Sequence, residues 1–224
     1  MAKLHVLRVF VNDEGEFGNH LGVFLDGAGI DDSRRQQIAA ELGYSETVFV
    51  DDRERGEMRI FTPATELPFA GHPSVGTAWL LREEGVEVSA LHPPAGELGV
   101  RFEDGETFIS ADPAWSPPFE QVQLAEPAEV RALDGPPTDA GEVYAWAWID
   151  EDAGTIRARS FAPAYGIAED EATGSAALAL CAQLGRPVTV NQGQGSVLIA
   201  RPLNGGRAEV GGGVALDEVR DFLL

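Results

Sequence analysis

The sequence predicts an α+β protein of two similar lobes, each a sheet packed on a helix. Three observations carry this expectation. "RIFTPA" (59–64) recurs 100 residues later as "RSFAPA" (159–164). Gly76-Thr77-Ala78 recurs 98 residues later as Gly174-Ser175-Ala176, so two local matches repeat in one order at nearly one spacing. Between the copies lies "DPAWSPPFE" (112–120), whose three prolines block both helix and central strand. The chain divides there into expected lobes 1–113 and 114–224. Its 224 residues, 44 % hydrophobic, suffice for two cores of about 110 residues each.

Each element has a local reason. "LHVLRVFV" (4–11), "GVFLD" (22–26), "ETVFV" (46–50), "MRIFT" (58–62) and "TFISA" (107–111) are short apolar or alternating runs that read as strands. "DDSRRQQIAAELG" (31–43) reads as a helix with acids and Ser33 near its start and Gly43 at its end. "SVGTAWLLREEG" (74–85) reads as a helix capped by Ser74 and stopped by Gly85. Past the prolines, "PAEVRALDG" (127–135) is a short helix with Pro127 in its first turn. "VYAWAWI" (143–149) alternates as a strand does, and "ATGSAALALCAQLG" (172–185) is an Ala- and Leu-rich helix. Short strands follow at 188–190, 196–200 and 208–210.

Charge excludes whole classes of partner. There are 37 acidic residues against 16 basic ones, a net charge of −21, and Lys3 is the only lysine. Nucleic-acid backbones and anionic membranes both require clustered cations, so neither is expected to bind. Cys181 is the only cysteine, which rules out an internal disulfide and makes a reducing cytoplasm the default. The N-terminus alternates like a strand and lacks a signal-peptide pattern, and no run of about 18 apolar residues could span a bilayer. His5, His20, His72 and His92 are scattered without zinc-site spacing, so no metal is expected. "HPSVG" misses the nucleophile elbow, and "GQGS" (193–196) misses the dinucleotide fingerprint.

The candidate chemistry lies near the helix starts. Gly76 and Gly174 carry no Cβ, so they permit either a close ligand or close packing. Free N–H groups and the positive dipole end favour an anion there, and a small carboxylate would fit where two such ends meet. Glu46 enters an apolar strand, where desolvation would raise its pKa toward proton-transfer values; an exposed strand start is the other reading. His72 sits between Gly71 and Pro73, either as a turn histidine or as a site group. Asp170 precedes Gly174 by four residues, either as a helix cap or as a ligand contact. Glu66, Glu169 and Glu171 read as capping or loop acids.

Five stretches together resemble the phenazine-biosynthesis isomerase (PhzF-like) family of the diaminopimelate-epimerase-like fold: "FGNHLGVFLDG" (17–27), "YSETVFV" (44–50), "RIFTPATELPFAGHPSVGTA" (59–78), "FAPAYGIAEDEATGSAA" (161–177) and "NQG" (191–193). The resemblance implies two pseudo-symmetric lobes, each a sheet curled around a central helix, with the active site between them. It implies no cofactor, no metal and a homodimer. It assigns Glu46 as the proton shuttle, and His72, Asp170 and Ser175 as groups that bind and position substrate. Gly71 and Gly174 supply backbone contacts, and the helix starts at Gly76 and Gly174 are expected to hold the substrate carboxylate. Glu66 falls in the family's N-E-L-P-like pattern, with Thr65 in place of Asn, and is expected to be structural. Related epimerases use two cysteines; here those positions are Gly71 and Asp170, and Cys181 is expected in the core.

Two departures bear on substrate. The usual G-N-P is Gly18-Asn19-His20 here, and the usual G-R-P-S after Q-G is missing. The expected activity is therefore a cofactor-independent isomerisation that moves a proton within a small carboxylate-bearing metabolite, which need not be the phenazine precursor. The alternative is a non-catalytic small-molecule-binding protein that kept the cleft.

Overall fold

The structure, a computed structural model, describes residues 2–163 and 166–224. The first half runs β1 (Ala2–Val11), β2 (Asn19–Phe24), α1 (Asp32–Leu42), β3 (Glu46–Asp52), β4 (Glu57–Phe61), β5 (Glu66–Leu67), α2 (Gly71–Glu83), β6 (Ala90–Leu91), β7 (Leu98–Glu103) and β8 (Glu106–Ala111). The second runs β9 (Glu120–Gln123), α3 (Pro127–Arg131), β10 (Val143–Asp150), β11 (Thr155–Ala162), β12 (Ile167–Asp170), α4 (Gly174–Leu184), β13 (Val188–Gln192), β14 (Ser196–Pro202) and β15 (Ala208–Phe222).

One pattern occurs twice. β2 and β3 pair in parallel across α1, as β9 and β10 do across α3. A parallel pair needs such a crossover, because no tight turn can join its ends. Each pair is followed by two antiparallel strands, β4 and β5 or β11 and β12, and then by a buried helix, α2 or α4. The fold is therefore the expected α+β duplication. Ala164, which closes the second F-x-P-A copy, lies outside the described residues.

A single strand stitches the halves together. In β15, Ala208–Gly212 pair with β8, and Ala208–Gly211 also pair with β14 on the other side. Gly213–Phe222 then pair with β1. The division expected at 113/114 is thus bridged by the last strand. The main core is shared as well: Val9 and Leu21 of the first half join Leu178 and Val190 of the second. A smaller cluster under α1 stacks Phe24 on Phe49, with ring centres 5.1 Å apart.

Several boundaries differ from expectation. α2 begins at Gly71, three residues before Ser74, and Ala70 is its N-cap. Ser74 is therefore not a cap; its Oγ donates to Ala70 O at 2.8 Å inside the first turn. Pro73 fits that turn because its missing N–H has no helical partner there. With the earlier start, Gly76 is mid-helix. A Cβ on it would lie 2.6 Å from Leu21 Cδ2 and 2.8 Å from Val9 Cγ2, so Gly76 lets α2 press on β1 and β2 and does not stand at a helix start as expected. The short helix α3 stops at Arg131, before Gly135 and two prolines. β15 runs for 15 residues where only 208–210 read as strand, and β7 and β9 had no clear signature. The proline segment is ordered: Ser116 Oγ donates to Ser175 O at 3.0 Å, which ties it to the start of α4.

Candidate active site

The parallel pairing of β2 and β3 sets Leu21 beside Glu46 and so brings the starts of the two strands together. Asn19 opens β2, Glu46 opens β3, and Ser45 immediately precedes it. Ser45 Oγ donates to Asn19 Oδ1 at 2.8 Å. Asn19 Nδ2 then crosses to the second half, donating to Asp170 Oδ1 at 2.6 Å and to Ala172 O at 3.2 Å. Thr173 Oγ1 holds the other Asp170 oxygen at 2.6 Å. Behind them, Gln192 Nε2 reaches Asp170 O at 3.0 Å and Thr173 Oγ1 at 2.9 Å. Tyr144 OH donates to Gln192 Oε1 at 3.0 Å. A run of polar groups thus spans the halves with its members paired, the condition under which burying them is tolerable.

Glu46 and His72 are less satisfied. His72, the second residue of α2, places Nδ1 3.3 Å from Glu46 Oε2. Both side chains are buried, and neither Glu46 Oε2 nor His72 Nε2 has a hydrogen-bond partner among the described residues. Burial is the main reason the Glu46 carboxyl titrates well above its ordinary value; the charge of Asp170 adds to this, and the Ser45 hydrogen bond opposes it. Burial lowers His72 to about 3, against a bond to the His20 backbone. Burial thus biases Glu46 toward its acid form and leaves His72 a neutral imidazole. Burial raises Asp170 to about 6, with the Thr173 and Asn19 bonds pulling the other way.

Gly71 and Gly174 meet where the two buried helices begin. A Cβ on Gly71 would sit 2.9 Å from Gly174 Cα and from Ser175 N. Neither helix start has a side-chain cap, at Ala70 or at Thr173. Their first N–H groups and positive dipole ends are available to an anion. Glu46, Asp170 and Ser175 line a narrow cavity beside them, with Thr62, Phe69 and Phe119. Asp170 and Ile167 also line an adjoining groove of about 440 Å³ that reaches Tyr44.

Of the expected site residues, Glu46, His72, Asp170, Ser175, Gly71 and Gly174 converge, and Gly76 does not. Glu66, expected to be structural, pairs with the Arg59 guanidinium. Cys181 is buried in the core of α4, its thiol pushed up to about 12 by burial. Among the described residues no cluster of three or more His, Cys, Asp or Glu could hold a metal, and no helix is long and apolar enough to cross a membrane. Sequence reasoning missed the network partners. Asn19, Ser45, Thr173 and Gln192 all stood in stretches already singled out ("GNH", "SET", "TGS", "NQG") without a role. Tyr144 and Phe119 carried no signal at all.

The departure at His20 lies behind the groove wall: its ring stacks on the wall residue Tyr44, with ring centres 6.1 Å apart. The altered segment after Q-G wraps Glu171, which accepts from Gln194 N at 2.9 Å and Ser196 Oγ at 2.8 Å. Both departures therefore adjoin Asp170 and its neighbours.

A duplicated sheet around two central helices is the architecture of the epimerase-like isomerases, and the chain is an isomerase of that class. A solved structure described as a predicted epimerase from Pseudomonas aeruginosa matches all of this chain and all of its own, with a TM-score of 0.75 at 26 % identity. The pattern of the phenazine biosynthesis-like protein family (PhzC-PhzF) matches residues 8–134 and 138–201, and the chain belongs to that family. The trans-2,3-dihydro-3-hydroxyanthranilate isomerase of Pseudomonas aeruginosa is 32 % identical over 216 residues, covering 79 % of this chain and 78 % of that one. An uncharacterised isomerase from Mesorhizobium japonicum is 40 % identical over 129 residues, covering 53 % of this chain but only 42 % of its own length.

Proposed function

We propose that this isomerase moves a proton within a small carboxylate-bearing metabolite, with Glu46 as its single general acid and base. The observation that carries this is a buried carboxyl, biased toward its acid form and 3.3 Å from a neutral His72, in a cavity shared with Asp170. As carboxylate, Glu46 takes a proton from carbon; the acid so formed returns it at another carbon of the same molecule. One residue suffices, because the product of the first step is the donor for the second. The substrate carboxylate lies at the uncapped starts of α2 and α4, where fixed N–H dipoles also stabilise charge that spreads onto it during transfer. His72, Asp170 and Ser175 hold the remaining polar groups. An anthranilate-type substrate, as in the Pseudomonas relative, is a carboxylate with an amino substituent, and that class is proposed here.

We also propose a cytoplasmic homodimer that works without cofactor. The test is a heavy-water screen of small amino-substituted and unsaturated carboxylates. Rearrangement of a bound compound is expected, with deuterium at the receiving carbon wherever the Glu46 acid exchanges with solvent between the two steps. Saturable binding with neither rearrangement nor uptake for any bound compound would make the protein a binder instead.

A further inference from the structure

A second cavity of about 580 Å³ lies around β11 and β12, with Arg131, Arg157, Arg159, Glu169, Glu171 and Gly193 in its wall. Three guanidinium groups converge here in a chain whose acids outnumber its bases 37 to 16. The two carboxylates in the wall are already engaged. Arg159 holds both oxygens of Glu169, at 2.7 and 2.6 Å. Glu171 is enclosed by the 194–196 backbone and by Ser196. Among the described residues, neither Arg131 nor Arg157 forms an ion pair. Arg157 donates to the carbonyls of Asn191 and Gly193, while its buried Nε has no partner among the described residues.

We propose that this cavity binds a small oxyanion, a phosphate or carboxylate group, between Arg131 and Arg157, apart from the position at the helix starts. Glu169 and Glu171 offset two of the three guanidinium charges, and a third left in a partly desolvated wall is costly unless a further anion joins it. The guanidinium fork matches the geometry of both oxyanions. In agreement, burial and then the charges of Arg131 and Arg159 hold the Arg157 guanidinium below its ordinary range, against the opposing charges of Glu171 and Glu169. The site is coupled to the catalytic network by one residue: Asn191 and Gly193, which Arg157 holds, flank Gln192, whose amide supports Asp170 and Thr173.

The experiment is calorimetric titration of inorganic phosphate into the intact protein and four variants. Wild type and Glu46→Gln bind saturably. Arg131→Gln, at an exposed position, weakens binding by about tenfold or more, the loss of one charge-assisted contact. Arg131→Lys restores part of the loss, and Arg157→Lys weakens binding again. No saturable binding to wild type, or equal binding to all the proteins, overturns the proposal. Because Glu46→Gln binds phosphate whether or not Glu46 shuttles protons, this outcome is independent of the proposed reaction. The heavy-water exchange assay then separates the sources. Phosphate that competes with substrate stands in for a second acidic group of that substrate. Phosphate that changes the rate without competing is a separate effector.

Discussion

Gly71 and Gly174 abut backbone to backbone: a Cβ on Gly71 would stand 2.8 Å from the carbonyl carbon of Gly174. This contact joins the halves at the starts of α2 and α4. A Cβ on Gly174 meets less, its nearest atoms being Gly71 Cα and His72 N at 3.1 Å. Gly71→Ala is therefore expected to cost about 1–3 kcal/mol, more than alanine's helix preference returns, and to cost more than Gly174→Ala. Urea unfolding of the two variants checks the order. Equal stability of both with wild type would mean that the helix starts do not touch.

The buried acid makes stability depend on pH. Glu46 has a folded pKa raised above its ordinary 4.5. Between those two values the folded state keeps a proton that the unfolded state has lost, so stability falls as pH rises through that window. Gln at this position has no proton to lose. The melting temperature of Glu46→Gln minus that of wild type should therefore increase with pH above 4.5. A difference that is flat with pH would place Glu46 in water.

His72, lowered to about 3, should stay neutral across ordinary assay conditions. Its imidazole nitrogen shifts, assigned by comparison with His72→Gln, should not move between about pH 5 and 8. A titration midpoint near the ordinary 6.5 would show an exposed or ion-paired histidine and would contradict the buried neutral imidazole.

Glu66 ties β5 to β4 through Arg59, and both side chains are partly exposed. Glu66→Gln should leave exchange activity within about twofold and cost no more than about 1 kcal/mol, the usual range for such pairs. A hundredfold loss of activity would return Glu66 to the chemistry.

The duplication was legible because it lies in short, local signals. The starts of the two copies recur in space as well as in sequence: Arg59 lies over Phe61 and pairs with Glu66, and Arg159 lies over Phe161 and pairs with Glu169. The buried helices were legible from their small and apolar runs. The start of α2 was not, because Ser74 before an apolar run looks like a cap, while the true start, Gly71-His72-Pro73, reads as a turn. That error moved Gly76 to a helix start it does not occupy. β15 was hidden by three consecutive glycines and a charged end, since its pairing is decided by β1, β8 and β14 rather than by its own alternation. The site shows the same divide. Residue types suited to chemistry could be picked out, but the links from Asn19 to Asp170 and from Tyr144 to Gln192 join residues 151 and 48 positions apart, and only the fold brings them together.

The central claim is that Glu46 carries the proton. The most direct test is the rate of deuterium exchange into the substrate identified by the heavy-water screen, measured for wild type and Glu46→Gln, with folding verified by circular dichroism. Loss of a positioned general acid–base should slow exchange by about 10²–10⁴-fold while the variant still binds the compound. Exchange at the wild-type rate in a folded Glu46→Gln would contradict the account and move the proton transfer to another residue.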